Sequence, residues 1–210
     1  MSGTRTVVHL VRHGEVENPD GILYGRRPGF GLSQRGAVMA AALGEHFDGA
    51  DITYLVASPL ERAQQTAAPI ADCADLPIES DDRLIEADNR FEGQRWGVRD
   101  GILGRVTNWP LLRNPFRPSW GEPYVDIALR MSAAIEAARL AAYGHEAVCV
   151  GHQLPIWIAH SAAIGRRLWH DPRERVCALA SVTSLHFEGT ELLDVGYVEP
   201  CGDIGTGVGA

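Results

Sequence analysis

Three short apolar runs, residues 7–11, 54–57 and 147–150, each end at a polar or glycine break with a helix-forming segment further on. Runs of this length bounded by turn residues read as buried strands, and strands that alternate with helices assemble into a mostly parallel sheet covered on both faces. The strand ends of such a sheet share one edge, where open α/β sheets bind ligands. What the chain places at those breaks is therefore the main clue to its chemistry. The first break is Arg12-His13-Gly14, the second is Ser58-Pro59 with Arg62 shortly after, and the third is Gly151-His152-Gln153.

The remaining segments fit one α/β domain over residues 1–200. Its expected form is a three-layer sandwich with a mostly parallel central sheet, an antiparallel edge and an insertion capping the C-terminal edge of the strands. Residues 15–32 hold too many glycines and prolines for a helix or strand and read as a loop. Its Tyr24, Arg26, Arg27 and Phe30 are candidates for a substrate mouth, or an ordinary loop surface. Ser33 reads as a helix N-cap, with Val38, Ala41, Ala42 and Leu43 as the packing face behind it. Ser58-Pro59 is expected to start the second helix, with Arg62 in its first turn. Residues 87–124 interrupt the rhythm with Trp96, Trp109, Trp120 and several prolines, and so read as an ordered insertion. Residues 125–142 form a helical pattern on Ile127, Ala128, Met131, Ile135 and Ala138. Residues 181–187 and 192–198, around the turn Glu188-Gly189-Thr190, read as a hairpin at the sheet edge. The glycine-rich tail 201–210 reads as mobile.

The residues at the strand ends suit phosphate chemistry. Imidazole can attack phosphorus, an arginine can hold phosphoryl oxygens through its planar fork, and glycine admits close backbone approach. Arg62, in the first turn of a helix, can share an anion with the helix N-terminus, or simply pair with Glu61. Leu84-Ile85-Glu86 brings a carboxylate out of an apolar segment just before the insertion. Within residues 90–117 six arginines stand against two acids, in a chain whose net charge is −8. Arg90 and Arg95 are thus candidates for binding an anionic substrate from a lid.

In this order and spacing the chain resembles the histidine phosphatase superfamily, which includes the cofactor-dependent phosphoglycerate mutases. The matching stretches are Leu10-Val11-Arg12-His13-Gly14, Leu32-Ser33 with Gly36, and Ser58-Pro59-Leu60 with Arg62-Ala63 and Gln65-Thr66-Ala67. Glu86 with Glu92-Gly93, Gly121-Glu122 with Asp126 and Arg130, and Gly151-His152 complete the match. The resemblance implies that His13 is a nucleophile that becomes phosphorylated, that Arg12, Arg62 and His152 hold the phosphoryl oxygens, and that Glu86 is the proton donor. The chain departs from the family pattern at Val16, Pro19, Pro123 and Gln153. Asn18 stands one place before the usual asparagine, and Asn18 and Gln153 are expected to contact substrate.

The expected function is hydrolysis of a small phosphate monoester, with a mutase as the alternative and an idle phosphate-binding or interaction module as a second one. No cofactor or metal is expected: His13 and His152 come without a thiol or an H-E-x-x-H pattern, and Cys73, Cys149, Cys177 and Cys201 are widely spaced. They read as reduced thiols. The acidic balance speaks against general nucleic-acid binding, and no apolar run is long enough to span a membrane. A start that leads straight into a strand suggests a cytoplasmic protein. His9, His46, His145, His160, His170 and His186 are expected on the surface or in structural roles.

Overall fold

A computed structural model describes residues 3–95 and 121–202. Six strands form one sheet: β1 (Arg5–Arg12), β2 (Ile52–Ala57), β3 (Glu79–Ser80), β4 (Glu146–Gly151), β5 (Val182–Glu188) and β6 (Glu191–Val198). Their order is β3-β2-β4-β1-β5-β6. The first four neighbours are parallel, while β5 and β6 run antiparallel at one edge. The expected mixed α/β architecture is the one observed.

Helices α1 (Gln34–Phe47), α2 (Glu61–Ala74), α3 (Tyr124–Ala141) and α4 (Gln153–Ala163) cover the sheet. Alternation along the central strands decides which side chain meets which helix. Val8, Leu10, Ala147 and Cys149 share a core with Ile127, Met131, Ile156 and Trp157 from α3 and α4. Val11, Leu55, Val148 and Val150 share another with Met39, Leu43, Ala63 and Ile70 from α1 and α2. Each fully buried Leu, Ile or Met contributes roughly 1.5–3 kcal/mol, so a register slip in a central strand would misplace both cores at once. Among the described residues no helix is long and apolar enough to cross a membrane.

Several expectations change. Ser33 does cap α1, its hydroxyl accepting from the Gly36 amide at 3.0 Å, but the face it presents is different. Val38 is 51% exposed and Ala41 is exposed, whereas Met39, Ala40, Leu43, Gly44 and Phe47 are buried. Small and apolar residues occur around much of α1, and contact with α2 selects the face. That contact is close: a Cβ on Gly44 would lie 3.0 Å from the Cβ of Pro69, a proline inside α2. α2 starts at Glu61 rather than at Ser58, because Ser58 continues the strand edge by donating its amide to the Val150 carbonyl at 2.9 Å. β3 is too short to leave a sequence signature. Cys201, read as the start of the tail, is buried with its thiol directed to the Met39 carbonyl at 3.6 Å. Trp96, Trp109, Trp120, Arg99, Arg105, Arg113 and Arg117 of the insertion, and the tail from residue 203, lie outside the described residues.

Candidate active site

Register brings the three breaks together. Arg12 pairs with Gly151 across β1 and β4, and Ala57 with Val150 across β2 and β4, so His13, Ser58 and His152 follow on one edge. The His13 amide donates to the Gly151 carbonyl at 3.0 Å, which extends the ladder one step beyond the strands. Behind His13 the backbone is packed without room for a side chain. A Cβ on Gly14 would come 2.7 Å from the Gly36 oxygen, and one on Gly36 would come 2.0 Å from the Glu15 oxygen. The Gly14 amide is held by the Thr66 hydroxyl at 3.1 Å, which itself donates to the Arg62 carbonyl at 2.7 Å. Thr66 thus ties the first turn of α2 to the backbone that carries His13.

His13 Nδ1 lies 2.7 Å from the Gly14 carbonyl. Since a carbonyl only accepts, Nδ1 carries the proton and Nε2 keeps its lone pair. Burial, then Arg12 and Arg62, hold this imidazole well below the usual histidine range, so it is neutral at neutral pH. His152 is buried beside it, with ring centroids 5.2 Å apart, and burial, His13 and the arginines lower it likewise. His152 Nε2 meets the Ser58 hydroxyl at 2.8 Å.

Arg12 donates to the Cys177 carbonyl at 2.7 Å, and Arg62 to the Gly25 carbonyl at 2.7 Å while its guanidinium stacks 4.8 Å over the Tyr24 ring. Both arginines are buried, yet Arg12 Nε, Arg62 Nε and His152 Nδ1 are buried polar atoms with no hydrogen-bond partner among the described residues. Orphaned polar atoms cost about 1–3 kcal/mol each. Three of them on residues grouped around one imidazole mark a place prepared for an external anion.

Arg12 and His13 line a cavity of about 360 Å³, together with Tyr24, Glu86, Tyr124, Gln153 and Arg175. Arg62 packs against Tyr24 of this lining and His152 against His13. Burial raises the Glu86 carboxyl above the usual range, against the Ala87 amide, which donates to it at 2.8 Å, and against Arg62, Arg175 and Arg12. Arg26 fixes its backbone by donating to the Glu86 carbonyl at 2.6 Å. The same arginine pairs with Glu122 at 3.0 Å, which Arg130 holds at 2.8 Å.

The loop and insertion residues named from sequence divide. Gln153 lines the cavity and donates to the Cys177 carbonyl at 3.3 Å. Asn18 does not line it: its amide donates to the Ile22 carbonyl at 3.0 Å and its oxygen accepts from the Ile22 amide at 3.2 Å, which closes the loop on itself. Arg90 is exposed, and Arg95 is exposed and directed to Asp20 at 3.5 Å; neither lines the cavity. Of the proposed mouth residues, Tyr24 does line it and Phe30 stacks on Tyr24, while Arg26 is spent on Glu86 and Glu122. Tyr124 and Arg175 were not singled out. Tyr124 opens α3, and Arg175 lies in a charged loop that reads like any solvated segment.

A family model described as the histidine phosphatase superfamily (branch 1) matches residues 8–195. An uncharacterized protein of Mycobacterium tuberculosis, Rv0525, is 58% identical over 195 residues, which is 93% of this chain and 96% of that protein. A probable phosphoglycerate mutase, GpmB, of Salmonella choleraesuis is 27% identical, covering 94% of this chain and 93% of that protein. The fold is also that of a phosphoserine phosphatase mutant from Entamoeba histolytica in complex with phosphoserine. That structure matches with a TM-score of 0.75 at 18% identity and covers 93% of this chain and 98% of its own.

Proposed function

The chain belongs to the histidine phosphatase superfamily, and from that premise we propose that it is a phosphatase that hydrolyses a small phosphate monoester through a phosphohistidine on His13. The observation that carries this reading is the grouping of a neutral, tautomer-fixed imidazole with three buried nitrogens that have no partner among the described residues, beside a carboxyl whose hold on its proton burial strengthens.

In the first step His13 Nε2 attacks phosphorus and the bond to the ester oxygen breaks. Glu86 gives its proton to that oxygen, so the alcohol leaves neutral. Arg12 and Arg62 meet the phosphoryl oxygens as fixed charges that need no reorganisation. His152 donates a third hydrogen bond. In this reading the Ser58 hydroxyl, 2.8 Å from His152 Nε2, is the donor of that pair and the ring proton stands on Nδ1, the nitrogen without a partner among the described residues. In the second step a water molecule, deprotonated by the now ionised Glu86, attacks the phosphohistidine. Inorganic phosphate leaves and both residues return to their starting states.

A mutase would use the same residues and return the group to a second hydroxyl. Release of free phosphate from a monoester, measured without a bisphosphate primer, separates the two. Steady hydrolysis supports the phosphatase. A primer-dependent isomerisation with negligible phosphate release overturns it.

A further inference from the structure

Among the described residues two arginines line the cavity. Arg12 stands beside the nucleophile, and Arg175 is on the wall formed with Tyr124 and Pro172. Arg26, Arg35, Arg83, Arg95, Arg130, Arg139 and Arg173 each pair with a carboxylate. Arg175 is half-buried and forms no ion pair among the described residues.

Its orientation is nevertheless built. His170 Nδ1 donates to the Leu168 carbonyl at 2.8 Å, which leaves Nε2 as an acceptor, and Arg175 Nε donates to that nitrogen at 2.8 Å. The His170 ring is packed between Tyr124 and Trp157, each with its centroid 5.6 Å away. A neutral imidazole fixes the guanidinium through Nε without cancelling its charge, and of the groups around it the Tyr124 hydroxyl is a neutral hydrogen-bond partner that likewise leaves the charge in place. The terminal nitrogens of a guanidinium held through Nε are the edge with which arginine grips an oxyanion. The acids lining the same cavity do not fill this role. Glu122 is held by Arg26 and Arg130, Asp88 is exposed, and Glu86, which forms no ion pair with Arg175, interacts with Arg62 and Arg12 as well as with Arg175.

We propose that Arg175, oriented by His170, is a specificity-determining residue that binds a second oxyanion, a carboxylate or a further phosphate, on the alcohol part of the substrate. This rests on the phosphatase reading: with the transferred phosphate at Arg12 and His13 and the ester oxygen at Glu86, the alcohol extends along the wall that carries Arg175. The substrate class is a phosphomonoester with a second negative group, and the recognising charge is on the loop before β5.

The test measures binding by calorimetry, independently of turnover, with three series of non-hydrolysable probes from two to five carbons long: alkylphosphonates, ω-phosphonocarboxylates and α,ω-bisphosphonates. At one chain length an anionic tail should tighten binding to the wild type by roughly 10- to 100-fold over the alkylphosphonate, the scale of a charge-assisted pair. The terminal group that gains more identifies the source of the oxyanion. Arg175→Gln should erase that gain and leave alkylphosphonate affinity within about twofold, and on 4-carboxyphenyl phosphate it should raise KM more than it lowers kcat. No gain at any length, or a gain that survives Arg175→Gln, overturns the proposal while alkylphosphonates still bind. Failure of every series to bind overturns the phosphate site itself.

Discussion

The imidazoles of His13 and His152 are buried side by side, with ring centroids 5.2 Å apart and planes inclined by 59°. Two histidines this close cannot both ionise without strong repulsion, and Arg12 and Arg62 add to it. The edge of the sheet is thus set to be positive through its arginines and neutral through its histidines. Such an edge suits an anionic ligand and leaves the His13 imidazole unprotonated.

If His13 is the nucleophile, rapid quench with phosphorus-labelled substrate should give a label that survives base, is lost in acid and maps to His13. His13→Ala should carry none. Label retained in His13→Ala would remove the mechanism.

Glu86→Gln should slow turnover by roughly 10²–10⁴-fold on alkyl phosphates, the usual scale of general acid catalysis. Activated aryl phosphates, whose leaving groups need no proton, should lose far less. An equal loss on both would assign the proton to another group.

Ser58→Ala removes the partner of His152 Nε2. His152 can then carry its proton on Nε2 and turn a lone pair toward the phosphoryl oxygens. Turnover should fall by about one hydrogen bond to a charged group, roughly tenfold or more. Ser58→Thr, which keeps the hydroxyl, should restore it, and unchanged kinetics in Ser58→Ala would mean that the serine does not set the tautomer.

Stability should depend on pH in a direction the histidines determine. His13 and His152 sit below 6.5 when folded and return to about that value when unfolded. Below about 6.5 the unfolded chain therefore binds more protons. Their contribution is full above that pH and is lost as pH falls toward the folded values. Glu86 acts in reverse: its raised carboxyl contributes below its usual 4.5, and that contribution is lost as pH rises through the folded value. Thermal melts in phosphate-free buffer should show Tm falling from about pH 7 to about pH 5. The His13→Asn, His152→Asn double variant should have a flatter acid limb, and an unchanged slope would contradict the assignment.

Gly36→Ala should be among the costly small substitutions, because its methyl group would stand 2.0 Å from the Glu15 oxygen. Overpacking of this kind costs about 1–3 kcal/mol. The accompanying shift of Gly14 should also lower kcat. Urea denaturation gives the first quantity and steady-state kinetics the second, and wild-type values for both would show that the backbone there yields freely.

Much of this protein is legible in its chain because the relevant signals are local. Apolar runs closed by Arg12-His13-Gly14, Ser58-Pro59 and Gly151-His152 state where strands end. The parallel rule then places those ends on one edge. Ser33 caps α1 as its position suggests, and the hairpin around Gly189 follows from its turn residues. Tertiary structure decided the rest, where several local choices were equally good or where the partner lies far along the chain. The face of α1 was chosen by contact with α2, not by the pattern of its own small residues. Asn18 and Arg95 have side chains fit for phosphate, yet one closes its own loop on Ile22 and the other is directed to Asp20. Arg175 becomes part of the cavity only because His170, Tyr124 and Trp157 meet there from separate segments. A sequence shows which residues can bear charge; burial and the nearest partner decide which of those charges stay free to act.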